Sequence, residues 1–119
     1  MKLRAMAFVP ALILLAACSS EPDRVTAVSV AEQCDPESTY FDLSEDEKSI
    51  EFHFRPGTES SEVAYTCLLE KSGAPSSVDY RIMETRPIDG TQTAEWEGWE
   101  LYWRYEGKGD GTPMHLSEV

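Results

Sequence analysis

Histidine, cysteine and basic side chains are scarce in this sequence, and each scarcity closes off a class of function. The two histidines, His53 and His115, are the only ones a histidine-dependent mechanism could use, and neither is accompanied by a serine or cysteine nucleophile motif. Three cysteines (Cys18, Cys34 and Cys67) form no CxxC pair, so neither a zinc site nor a dithiol redox centre is expected. Ten Lys and Arg stand against 22 Asp and Glu, a formal net charge of −12. That balance excludes nucleic acid as a partner and electrostatic adhesion to anionic lipid, both of which need a basic surface. The apolar stretch at 5–17 is shorter than the roughly 20 residues a membrane span requires, and Pro10 interrupts it. DLSEDE (42–47) places Glu47 and His53 where a calcium loop needs glycine and a carboxylate. GKGDG (107–111) lacks the GKS or GKT of a phosphate loop. There is no internal repeat, and nothing calls for a cofactor or a metal.

The N-terminus does carry a signal. Lys2 and Arg4 precede the uncharged run AMAFVPALILLAA, which ends at Cys18. A basic start, an apolar core of about a dozen residues and a small-residue junction describe an export signal. Leu15-Ala16-Ala17-Cys18 resembles the lipobox of bacterial lipoprotein signals. That resemblance implies cleavage before Cys18 and acylation of its thiol and new amine. Two or three acyl chains satisfy the two-signal requirement for stable anchoring. The expected organisation is a signal peptide at 1–17, a polar tether at 18–24 and one small domain at 25–119. The expected location is extracytoplasmic, held to the bacterial cell membrane through lipid on Cys18. Losing Lys2 and Arg4 leaves the mature chain still more acidic.

With Cys18 acylated, Cys34 and Cys67 remain as an even pair in an exported domain, which reads as one disulfide. Along the domain, valine-rich VTAVSVAEQ (25–33) predicts a first strand. YFDL (40–43) and SIEFHFR (49–55) predict a hairpin, with Ile50, Phe52 and Phe54 on one face and Glu51, His53 and Arg55 on the other. EVAYTCLLEKS (62–72) fits strand alternation and also a helical stripe of Val63, Ala64, Cys67 and Leu68. Ser60 or Ser61 as N-cap and Gly73 as stop favour the helix. SSVDYRIMETR (76–86) is similarly read as helix, with Ser76 and Asp79 as a capping box and Pro87 closing it. TQTAEW (91–96), a turn at Glu97-Gly98 and WELYWRYE (99–106) predict a second hairpin. Trp99, Leu101, Trp103 and Tyr105 then face the core, and Glu100, Tyr102, Arg104 and Glu106 face solvent. MHLSEV (114–119) is expected as a closing edge strand. The fold class predicted is α+β, an antiparallel sheet of four to five strands with two short helices on one face. The alternative is an all-β sandwich or barrel.

From Cys67 to Gly111 the chain resembles the second half of small, functionally uncharacterised secreted proteins and lipoproteins of actinobacteria. The residues that carry the likeness are Cys67, Gly73, Pro75, Val78, Thr85, Arg86, Asp89, Gly90, Gln92, Ala94 and Trp96. Those proteins tend to have a Tyr-His-Pro step where this chain has Tyr105-Glu106-Gly107. The resemblance implies two helices between hairpins and brings no activity with it. The function expected is a non-enzymatic binding or structural role in the envelope, with Glu100, Tyr102, Arg104 and Glu106 as the partner-binding face and a basic envelope protein as partner. The alternative is an acidic inhibitor of a basic exported enzyme such as a lysozyme, although the cysteine positions and a missing Ser-Gly-x-x-Tyr run argue against that family. An enzyme is not expected, for want of an acid–base pair.

Overall fold

Thr26 opens the first element. The computed structural model describes residues 24–119, and Cys18, with the expected signal, lipid anchor and most of the tether, lies outside the described residues. Helix α1 (Ala27–Cys34) begins at a reciprocal cap. Thr26 Oγ1 accepts from the Ser29 N–H at 3.1 Å, and Ser29 Oγ accepts from the Thr26 N–H at 2.9 Å. Ala27, Val30 and Ala31 are buried at helical spacing. The strand expected at 25–33 is therefore corrected: the cap and the 3–4 spacing of buried positions outweigh the β-preference of valine. Asp35 ends the helix, and its buried carboxylate accepts from three backbone N–H groups, those of Thr39, Tyr40 and Phe41, at 2.7–3.0 Å.

Strands β1 (Phe41–Leu43) and β2 (Ser49–Phe54) pair antiparallel as expected. Their turn is tied by Asp46, which accepts from the Ser44 hydroxyl at 2.6 Å and the Lys48 N–H at 3.1 Å. These hydrogen bonds, Ser44's first, hold the Asp46 carboxyl below its usual range. Helix α2 (Glu59–Ser72) settles the ambiguous middle, with Thr58 rather than Ser60 or Ser61 at its N-cap. Ser61 is buried, and its hydroxyl oxygen accepts from the Arg55 N–H at 2.9 Å, fixing the loop to the end of β2. The buried face is Ala64, Tyr65, Leu68, Leu69 and Ser72, so the expected stripe is rotated and Val63 is exposed. Gly73 stops the helix at φ +80°, its N–H bonded to Glu70 O and that of Ala74 to Leu69 O.

Helix α3 (Ser76–Glu84) buries Val78 and Ile82, one turn apart as expected. The capping box expected from Ser76 and Asp79 is absent: Pro75 occupies the cap, and Asp79 instead accepts the Tyr65 hydroxyl hydrogen from α2. A 3-10 turn at Pro87–Asp89 leads into β3 (Thr91–Trp96), β4 (Trp99–Arg104) and β5 (Thr112–Glu118).

The fold is α+β: the described residues form three helices and a five-stranded antiparallel sheet in the order β1-β2-β5-β4-β3. The three helices rule out the all-β alternative, and α1 makes one more than the two expected. β5 is not the closing edge strand that was expected. It is central, paired along its length with β2 and, from Met114 to Glu118, with β4. Pro113 is tolerated there because the β4 ladder has already ended at Met114.

Buried residues of all three helices and all five strands form one core cluster, in which Trp103, Phe54, Leu68, Leu101 and Leu116 are almost fully enclosed. The described helices thus cover one face of the sheet. The Trp103 indole N–H donates to Thr85 Oγ1 and that of Trp96 to the Ser72 carbonyl, both at 2.9 Å, so neither buries an unpaired donor. A disulfide joins Cys34 at the end of α1 to Cys67 in α2. Tyr105, expected in the core, lies just past β4 and is half-buried. At Gly111, also at φ +80°, a Cβ would lie 2.6 Å from the Phe54 carbonyl oxygen, so the loop can approach β2 only with glycine there.

Candidate functional site

The sheet face without helices presents outward side chains from all five strands. Alternation places it: while Ile50, Phe52, Leu101, Trp103, Met114 and Leu116 point into the core, the residues between them point away. Register then arranges these outward residues in rows. One row runs Asp42, Glu51, His115, Tyr102 and Thr93 across all five strands. The next runs Ser49, Ser117, Glu100 and Glu95, with the Ser49 and Ser117 hydroxyls 3.0 Å apart.

At the centre of the face, the Tyr102 and His115 rings stack with centroids 4.9 Å apart and planes within 5°. His115 Nδ1 lies 3.6 Å from a Glu51 carboxylate oxygen. The two rings, with Glu51, Thr91, Arg104 and Pro113, line a recess of about 240 Å³. Four carboxylates lie in the two rows of the face. Asp42 stands directly opposite Glu51 and Glu95 directly opposite Glu100, two like-charge cross-strand pairs, an arrangement that works against the sheet.

Of the four residues expected to form the binding face, Glu100, Tyr102 and Arg104 share this surface. Glu106 lies beyond the end of β4 and is held by an ion pair to Arg104. Tyr102 is 42% exposed, in keeping with its reading as the outward aromatic. Sequence reasoning did not bring His115, Asp42 or Glu95 to the site. Strand parity could have turned each outward, but joining His115 to Tyr102 requires β5 beside β4, which no local pattern encodes. His53 is exposed, and its Nε2–H donates to the Asp110 carbonyl at 2.6 Å, pinning the 107–111 loop.

The chemistry available is recognition by charge and by flat aromatic surface. Among the described residues no hydroxyl or thiol is hydrogen-bonded to the His115 ring that faces Glu51. Among the described residues no group of three or more His, Cys, Asp or Glu side chains is placed to hold a metal ion. No known protein family, curated protein or solved structure matches the chain.

Proposed function

We propose that this protein is a membrane-anchored envelope lipoprotein with a non-enzymatic binding role, and that its helix-free sheet face receives a basic protein partner. The observation that carries this reading is the placement of two like-charge pairs, Asp42–Glu51 and Glu95–Glu100, on the sheet face that the described helices leave open. Unpartnered, each pair opposes the fold; a lysine or arginine seated between its carboxylates relieves the repulsion on binding. The Tyr102–His115 stack supplies a flat amphipathic centre of the kind that anchors protein contacts. The anchor half of the proposal rests on Leu15-Ala16-Ala17-Cys18.

Two experiments test the halves separately. Full-length protein expressed in a bacterium should partition into detergent and carry acyl mass on Cys18, and Cys18→Ser should abolish both. A soluble product with a free Cys18 thiol refutes the anchor. For the face, envelope proteins captured on the wild-type domain should include a basic protein that Glu95→Lys/Glu100→Lys fails to capture and whose on-rate falls with added salt. An acidic partner, or an on-rate indifferent to salt, refutes the acidic face as the recognition surface.

A further inference from the structure

A second recess, beyond the C-terminal end of β2, has the opposite electrostatic character. It is lined by Arg55, Thr58, Tyr105, Lys108 and the loop glycines, has a volume of about 240 Å³, and contains no acidic side chain in its wall. In a chain with 22 acidic residues and 10 basic ones, such a wall is unusual. Among the described residues the two cations are also without an ion pair. Arg24, Arg86 and Arg104 are each within 4.0 Å of a carboxylate oxygen, but among the described residues neither Arg55 nor Lys108 is. Arg55 spends one N–H on the Gly109 carbonyl at 3.4 Å. The Glu62 and Glu106 carboxylates are engaged by the Gly57 N–H and by Arg104, and Asp110, in the same loop, is not among the lining residues. The Thr58 hydroxyl makes no capping bond to its helix.

We infer that this recess binds a small phosphoryl dianion. The guanidinium of Arg55 offers a planar fork and Lys108 a mobile point charge, two positive charges to match two negative ones. The hydroxyls of Thr58 and Tyr105 add donors at the wall. The loop is held in place without the ligand, by His53 on the Asp110 carbonyl and by the Glu106 and Gly111 N–H groups on Gly111 and Gly107 carbonyls, so binding orders little new structure. This site is independent of the acidic sheet face and would stand if that reading failed.

The test is titration of inorganic phosphate into the disulfide-intact domain at pH 8 and constant ionic strength, followed by the backbone amide signals of Gly107, Gly109 and Gly111. Saturable shifts at these glycines are expected, with glycerol producing none. Arg55→Gln or Lys108→Gln should weaken the fitted affinity about tenfold each, the worth of one charge-assisted hydrogen bond. The double variant should lose saturation altogether, while Lys71→Gln, on another surface, should leave it unchanged. Unperturbed signals outside the loop will show that the variants remain folded. Absence of saturable shifts in the wild type, or equal shifts in the double variant, overturns the inference.

Discussion

At Gly111 the backbone sits at φ +80° and the space a side chain would need is taken by the Phe54 carbonyl 2.6 Å away. Gly109, two residues earlier, shares the positive φ at +98°, but a Cβ there would meet nothing within 4 Å. The pair separates two effects of one substitution. Gly109→Ala should cost about 1 kcal/mol, the backbone strain alone. Gly111→Ala adds a collision with main chain that cannot rotate away, and should cost about 2 kcal/mol more, read as a lower denaturant midpoint at unchanged slope. Equal losses would show that the loop yields freely. Three glycines in GKGDG are turn chemistry, and the stretch is a turn, but which glycine is indispensable depends on where β2 passes. Asp35 shows the same limit. It reads as a turn residue before Pro36, whereas its carboxylate gathers three N–H groups that become neighbours only after the chain has doubled back to β1.

Two links hold the helices to one another, and each has its own lever. Cys34–Cys67 ties α1 to α2 and closes a loop of sequence separation 33, worth about 3–4 kcal/mol in the chain-entropy account. Domains of this size have only about 5–15 kcal/mol in all, so reduction should lower the melting temperature by many degrees. Hydrogen exchange should show α1 losing protection before β4 and β5; an unchanged melt would mean that the bridge constrains little. The second link is the Tyr65 hydroxyl, which donates to Asp79 from α2 to α3 while its ring stacks on Phe54 at 4.1 Å. Burial first, and then the Asp79 carboxylate, push the phenol well above its ordinary value of 10.0. The fold therefore favours the neutral phenol. Its contribution is complete below pH 10 and declines above that, as the unfolded chain ionises and the folded one does not. Melts between pH 9 and about pH 11 should fall more steeply for wild type than for Tyr65→Phe; parallel curves would remove Tyr65 as the cause. Elements with a strong local signature were legible: β2 and β4 through alternation, α2 through its glycine stop. α1 was misread because its valines favour strand locally, while the box between Thr26 and Ser29 needs only two small hydroxyls that draw little notice in a sequence.

Charge acts on the molecule as a whole. A formal net charge of −12 means that carboxylates repel one another across the entire surface, whereas the exposed ion pairs contribute little. Raising ionic strength shortens the screening distance from about 30 Å at 0.01 M to about 8 Å at 0.15 M. The melting temperature should therefore rise with added sodium chloride. A fall would mean that pairs such as Arg24–Glu118 and Arg86–Asp89 outweigh the repulsion. The sequence alone conveyed this acidity, and alternation turned Glu100, Tyr102 and Arg104 outward. It could not convey the meeting of Tyr102 with His115, because a strand's place in a sheet depends on partners distant along the chain. That place also governs the timetable of assembly. β1–β2 and β3–β4 are hairpins that can each form from local sequence, yet they touch through β5, which follows all the others. A nascent chain that has emerged only as far as Lys108 holds both hairpins with their inner edges unmated and the apolar face between them incomplete. Closure must wait for the last strand to be delivered. Until then neither hairpin has its inner edge covered, and the passage from two separate ribbons to one continuous sheet is a single docking event at β5.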